Sequence, residues 1–218
     1  MSFSELKEDA KKSLKGKYSD AIIMIIVYGL IAGAIAGICG YIDGALGLTQ
    51  EQTIVMFGQE LKSTNPGIFT ALSSIVITCL FYFGMLSFYY KVSKNEKVTW
   101  KEMFGKMNMF LDFFVISLLV SIFTTLWSIL FIIPGIIASF AYSQVYLVKL
   151  NDPDLGYMEA IKKSKEIMKG HKMEYFLLNL SFIGWILLGV LTCGILYFWL
   201  MPYMSVTQCN FYNKITKK

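Results

Sequence analysis

Arginine is missing from this 218-residue chain; all twenty of its basic residues are lysine. Nucleic-acid recognition usually draws on the guanidinium fork for guanine edges and for stacking. A net charge of +5 carried by lysine alone therefore argues against a nucleic-acid partner. Histidine occurs once, at His171, and none of the four cysteines, Cys39, Cys79, Cys193 and Cys209, forms a C-x-x-C pair. Metal-ligand spacing is thus absent, and cysteines inside apolar runs usually act as small packing residues. There is no G-x-x-x-x-G-K-[ST], no H-E-x-x-H and no G-x-S-x-G, which removes the common signatures of nucleotide-driven pumps, zinc proteases and serine hydrolases. The chain is expected to be no enzyme and to carry no cofactor. Charge of either sign is scarce as well: 16% of residues are charged, against about 25% in soluble domains.

What the chain has instead is apolar sequence, 56% of it, with aromatics at 16% and a mean hydropathy of +0.56. A spanning helix needs about 20 apolar residues. Residues 21–42 and 68–90 are each one such run, while 110–150 and 175–213 are too long for one span. Pro134 and Gly135 are expected to break the first long block into spans 112–131 and 134–150, because proline interrupts a helix ladder. Thr192 and Gly194 are expected to break the second into 175–191 and 195–213. Six spans result. Nineteen of the twenty lysines fall in segments 1–20, 91–109, 149–174 and 214–218, all on one side in a six-span layout. Lysine-rich short loops stay cytoplasmic, so both termini are expected inside. The first apolar run is too long for a cleavable signal sequence. Cys39 and Cys193 fall near the outer face, where a disulfide is conceivable.

A polar helix precedes each pair of spans. In the first, Ser2 and Glu5 form an S-x-x-E capping box, and Phe3, Leu6, Ala10 and Leu14 recur at helical spacing. The second repeats the box with Thr99 and Glu102. The third is expected to start at Asp152 with Pro153 in the first turn, with a stripe of Leu155, Met158, Ile161 and Met168. Each ends at a glycine followed by a residue at headgroup level: Gly16 and Lys17, Gly105 and Lys106, Gly170 and His171. Glycine is the natural residue for leaving a helix, so these pairs read as interfacial elbows. The fold class expected is all-α: a polytopic membrane protein with six transmembrane helices and three short interfacial amphipathic helices. It forms one domain, 1–218, with repeat units of about 1–90, 91–150 and 151–218. The lysine-bearing helices either meet an anionic inner leaflet or pack together as a collar.

Candidate sites are few. His171 lacks a second histidine or a nucleophile and reads as an interfacial residue, although histidine is the side chain suited to sensing acidity. Asp20 and Asp112 lie at inner ends of spans and Asp43 at an outer end. Asp112, a few residues inside its apolar run, is the best ionisable candidate. Gln144 and Tyr142, Asn179 and Ser181, and Gln208 and Asn210 could converge between helices as packing glue or as the walls of a polar cavity. Gly29, Gly33 and Gly37 stack at intervals of four and favour a close crossing inside the molecule over a homodimer face.

The stretches "SELKEDAKKSLKGKYSDAI", "IPGIIASFAYSQVYLV", "AIKKSKEIMKGHKMEYFLLNLSFIGW" and "LTCGILYFWLMPYMSVTQCNFY" resemble the domain-of-unknown-function family numbered 975, over essentially the whole chain. The resemblance implies a six-span plasma-membrane protein of mainly Gram-positive bacteria and assigns no catalytic residue. The middle unit, with "GKMNMF" in place of the fuller "KGHKMEYF", departs from the pattern. A more distant likeness to the membrane domain attached to some glycerophosphodiester phosphodiesterases points toward lipid or envelope biology. The reading that follows is a non-enzymatic protein that organises the membrane or modulates partners: inner-leaflet lipids, another membrane protein or a second copy. The alternative is a small-molecule, lipid or peptide transporter, or an export or immunity factor, built around Gln144, Asn179, Gln208 and Asp112.

Overall fold

A computed structural model describes residues 2–56 and 59–216. The chain is overwhelmingly helical. Helix α1, Phe3–Leu14, opens with the Ser2 hydroxyl accepting from the Glu5 amide at 3.5 Å. Its stripe of Leu6, Ala10 and Leu14 is buried. The chain then turns at Gly16, whose φ of +80° suits glycine, into α2, Tyr18–Ala45. Strands β1, Gln50–Met56, and β2, Gln59–Asn65, pair antiparallel with Gln50 opposite Asn65. This ribbon lies in what the sequence presents as a plain connecting loop.

Helix α3, Ile68–Ser93, is the hub and packs on every neighbouring layer. Its C-terminal half carries Phe83, Phe88 and Val92, all fully buried. After it come two short 3-10 turns, Trp100–Phe104 and Met107–Met109. They replace the expected second amphipathic helix. The Thr99 side chain makes no cap, and Glu102 instead accepts from Ser87 (2.9 Å) and Lys91 (2.8 Å) on α3. That capture pulls the turn so close that a Cβ on Gly84 would lie 2.0 Å from the Met103 carbonyl oxygen. A free helix cannot form while pinned against α3 at that distance.

Helices α4, Phe110–Leu130, and α5, Ile132–Tyr142, form the next hairpin. The break is Phe131, which is extended, and not Pro134-Gly135. Pro134 sits in the first turn of α5, where no intrahelical donor is needed. Gly135 allows the close return: a Cβ there would meet the Ser128 hydroxyl at 2.1 Å. Helix α6, Val145–Asn151, continues α5 after a break at Ser143 and Gln144. Helix α7, Tyr157–Ile167, starts four residues later than the nearest expected turn. Its N-cap is Gly156, whose amide donates to Glu159 at 3.3 Å. Its buried stripe is Ala160, Ile161, Ser164 and Met168, while Met158 is exposed.

Gly170, at φ +85°, then leads into α8, Lys172–Leu180, and after a break at Ser181 and Phe182 into α9, Ile183–Leu191. Helix α10, Tyr197–Thr216, closes the fold with Leu200, Val206, Cys209 and Phe211 buried. Among the described residues, five stretches are long and apolar enough to cross a membrane: Tyr18–Ala45, Ile68–Ser93, Trp100–Ile129, Ile132–Asn151 and Lys172–Leu191. Helix α10 has the length, but its polar second half, with Gln208, Asn210, Asn213 and Lys214, keeps it out of that group.

One expectation about small residues fails. No heavy atom from another element lies within 4 Å of a Cβ built on Gly29, Gly33 or Gly37, so no helix of the chain crosses there. All four cysteines are free, Cys39 and Cys193 included.

Candidate functional site

The α5–α6 break places polar groups inside the bundle. At the α5–α6 break the backbone frees the carbonyl of Ala141, which accepts from the fully buried Ser164 hydroxyl of α7 at 2.9 Å. Gln144 at this break is 1% exposed. Its Nε2 donates to the Ser143 hydroxyl at 3.1 Å, while its Oε1 has no partner among the described residues. On α8, Asn179 donates to the Tyr175 carbonyl at 2.8 Å and accepts from Gln208 Nε2 of α10 at 3.1 Å. Gln144 and Gln208 line one cavity of about 210 Å³, together with Tyr82, Tyr89, Tyr175 and Cys209.

The structure thus brings Gln144, Asn179 and Gln208 together and separates them from the other three expected members, Ser181, Asn210 and Tyr142. Ser181 turns back to the Leu178 carbonyl. Asn210 faces the opposite way, donating to the Leu6 carbonyl at 3.4 Å beside a wide groove bordered by Asp9, Lys12, Lys94 and Lys214. Tyr142 is buried against Phe123 and does not reach the cavity.

Asp112 is not a lone carboxylate. Lys149 of α6 lies 3.3 Å away and is 5% exposed as a residue. Its ammonium also donates to the carbonyls of Pro153 (2.6 Å) and Leu155 (2.9 Å) and sits 5.0 Å from the Tyr157 ring centre. Two of the three ammonium donors go to these carbonyls, and the Asp112 carboxylate adds an ion pair. Burial and then the Asp112 carboxylate push the Tyr157 phenol above its ordinary pKa, so it stays protonated against that acid. The arrangement closes α4, α6 and α7 onto each other. The partner was readable in principle, since Lys149 is the charge that ends the long apolar block, but its distance from Asp112 in sequence hides the pairing.

The elbows share backbone geometry more than chemistry. Lys17 and His171 follow positive-φ glycines and adopt φ, ψ of −116°, −2° and −109°, 0°. Lys106 is similar at −123°, 21°, yet Gly105 before it is right-handed at φ −69°. Lys17 donates to the Glu96 carbonyl at 2.8 Å. His171 Nδ1 is 2.7 Å from Glu174 Oε2. Asp43, placed at a span end by sequence, is wholly buried and caps α3 from α2. It accepts from the amides of Phe69 (3.1 Å) and Thr70 (2.8 Å) and from the Thr70 hydroxyl (2.7 Å). A Cβ on Gly67 would lie 2.2 Å from its carboxyl carbon, so only glycine leaves room for this clasp.

Among the described residues no group of three or more His, Cys, Asp or Glu could hold a metal ion.

Among the described residues, five helices are long and apolar enough to cross a membrane, and many large apolar side chains face outward, which is the pattern of the helical membrane-protein class. More particularly, the chain belongs to the family described as protein of unknown function (DUF975), whose model matches residues 1–138 and 129–218. No curated protein and no solved structure matches it.

Proposed function

We propose that this is a non-enzymatic, multi-pass protein of the bacterial plasma membrane that organises the membrane or modulates a partner protein through its lysine-rich end. One observation carries the reading: residues from the lysine-rich segments touch one another. Lys17 reaches Glu96, Asp20 accepts from the Trp100 amide at 3.1 Å, Glu5 pairs with Lys214 at 3.0 Å, and Asn213 donates to Ser93 at 2.9 Å. By the positive-inside rule that end is cytoplasmic, with both termini there and α10 as the sixth span. The three elbow units are then variants of one repeat, a surface element followed by a helical hairpin.

The apolar stripe of α1 is spent on α10 and α3, so any hold on the inner leaflet is electrostatic. Lys11, Lys12 and Lys15 on α1, and Lys162, Lys163 and Lys165 on α7, remain exposed. Each lysine near an anionic surface contributes roughly 1 kcal/mol. Hydrogen exchange of the full chain in lipid nanodiscs tests this. Anionic lipid is expected to protect α1 and α7 more than zwitterionic lipid does, and Lys12→Glu with Lys163→Glu is expected to erase the difference. Equal protection of the unaltered protein in both lipids overturns the leaflet contact. For orientation, a cysteine at position 60 is expected to label from outside and one at position 165 not; the reverse pattern overturns the layout.

A further inference from the structure

At the lysine-rich end, three stretches far apart in sequence enclose an open groove of about 780 Å³: α1, the turn after α3, and the final turns of α10. That volume lies within the usual range for organic ligands. Leu6 gives the groove an apolar floor, with Ser13 beside it. Ser13 is 5% exposed, and its hydroxyl makes no hydrogen bond to any described residue. Buried hydroxyls are normally satisfied, so a partner for this one comes from the groove it lines.

Charges of both signs border the groove without neutralising each other. Asp9 and Lys12 stand on α1, and Lys94 and Glu96 on the turn after α3. Among the described residues no ion pair engages any of the four, whereas Lys214, the remaining charge, is taken by Glu5 at 3.0 Å. The Lys94 ammonium lies over the Tyr90 ring at 4.3 Å. Lys17 fixes the turn through the backbone carbonyl of Glu96, at 2.8 Å, and leaves the Glu96 carboxylate open. Two open carboxylates beside two open ammoniums cancel in charge. That balance complements a ligand carrying both signs better than a simple anion.

Three carboxamides complete the lining. Asn210 and Asn213, three residues apart on α10, share one face of it. Each spends one N–H inside the protein, on the Leu6 carbonyl at 3.4 Å and on the Ser93 hydroxyl at 2.9 Å. Their side-chain carbonyl oxygens accept from no described residue. Asn95, on the rim, holds a left-handed backbone at φ +60°, which asparagine tolerates. A carboxamide presents donor and acceptor side by side, the complement of a peptide group.

We propose that this groove binds a short zwitterionic peptide. Asp9 and Glu96 draw its ammonium end, Lys12 and Lys94 its carboxylate, and Asn210 and Asn213 its backbone. The site shares Lys12 with the leaflet contact proposed above but goes beyond it, and it forms whichever way the chain faces.

The test uses the full chain in nanodiscs, with both faces open to solution, and trialanine as the probe. Saturation-transfer NMR is read against protein-free nanodiscs of the same lipid. A saturable signal is expected, weakened about tenfold when the tripeptide is acetylated and amidated at its ends. Asp9→Asn with Lys12→Gln keeps the shape of one wall without its charges, and Lys94→Gln with Glu96→Gln does the same on the other. Each pair is expected to weaken binding about tenfold at unchanged melting temperature. A trialanine signal no greater than that of lipid alone overturns the proposal, and so does a capped tripeptide that binds as tightly as the free one. Binding that survives both double variants also overturns it, as does displacement by inorganic phosphate as strong as by triglycine, which marks a plain anion site. None of these outcomes alters the lipid-dependent protection of α1 and α7, which is measured without peptide.

Discussion

The two ends of the molecule are built differently. At the lysine-rich end, α3 presents Phe83, Phe88 and Val92 at zero exposure, α4 presents Ile116, and α10 presents Phe211. Toward the other end, on α3, α4, α5 and α9, the side chains are just as apolar and stand in the open. Ile68 is 59% exposed, Ile129 77%, Ile132 76% and Leu191 78%. These exposed residues are as apolar as the buried ones, so hydrophobicity alone does not drive packing here. A surrounding lipid is as apolar as leucine, and association then rests on close fit and polar contacts. The packed end has both, in Gly84 under the Met103 carbonyl and in the Lys149 cluster. At the other end such contacts are local, at Gly135 beside Ser128 and at the Asp43 clasp.

The largest effect is expected at the packed end. Phe88→Ala should destabilise the protein by about 3–5 kcal/mol, read from unfolding in mixed micelles, and a loss below 1 kcal/mol would erase the distinction between the ends. Lys149→Met comes next. Removing one member of a buried pair costs about 3–5 kcal/mol, and the lower end applies because the Asp112 side chain is 22% exposed. Adding Asp112→Leu to that variant should recover most of the loss; a further drop would show that the pair is not acting as a pair.

Asp43→Ala sharpens the comparison, because Asp43 is a polar clasp at the loosely packed end. Its melting temperature should fall measurably though less than for Lys149→Met, and Gly67→Ala should reproduce the change by steric expulsion of the carboxylate. The smallest effect is expected at outward-facing helix positions, where Leu30→Ala or Leu187→Ala should change stability by less than about 0.5 kcal/mol. A larger loss at Leu30 would mean that a second chain covers that face.

Much of this contrast was readable, and the unread parts share a cause. Helices α1, α2 and α3 and the turns at Gly16 and Gly170 follow from local pattern. The second amphipathic helix did not form because Glu102 finds Ser87 and Lys91 on another helix, a competition invisible in "TWKEMF". The break moved from Pro134 to Phe131 because proline is harmless in a first helical turn, and only the return path of α5 past Ser128 gives Gly135 its role. Of the five candidate polar residues, Gln144, Asn179 and Gln208 converge and Ser181 and Asn210 do not. Periodicity places a residue on its own helix but not relative to a neighbour whose rotation depends on a break.

By itself, then, the order of residues determined what each stretch is: apolar runs long enough to cross a membrane, lysine at one set of turns, glycine where the chain must adopt a positive φ. Those outcomes depend on neighbours within a few residues. Tertiary structure decided which groups meet: Asp112 with Lys149, Asp43 with the start of α3, and Gln144 with a cavity of tyrosines. Such contacts join residues 26 to 60 or more positions apart. They depend on helix rotation and on close approach, which no local propensity encodes.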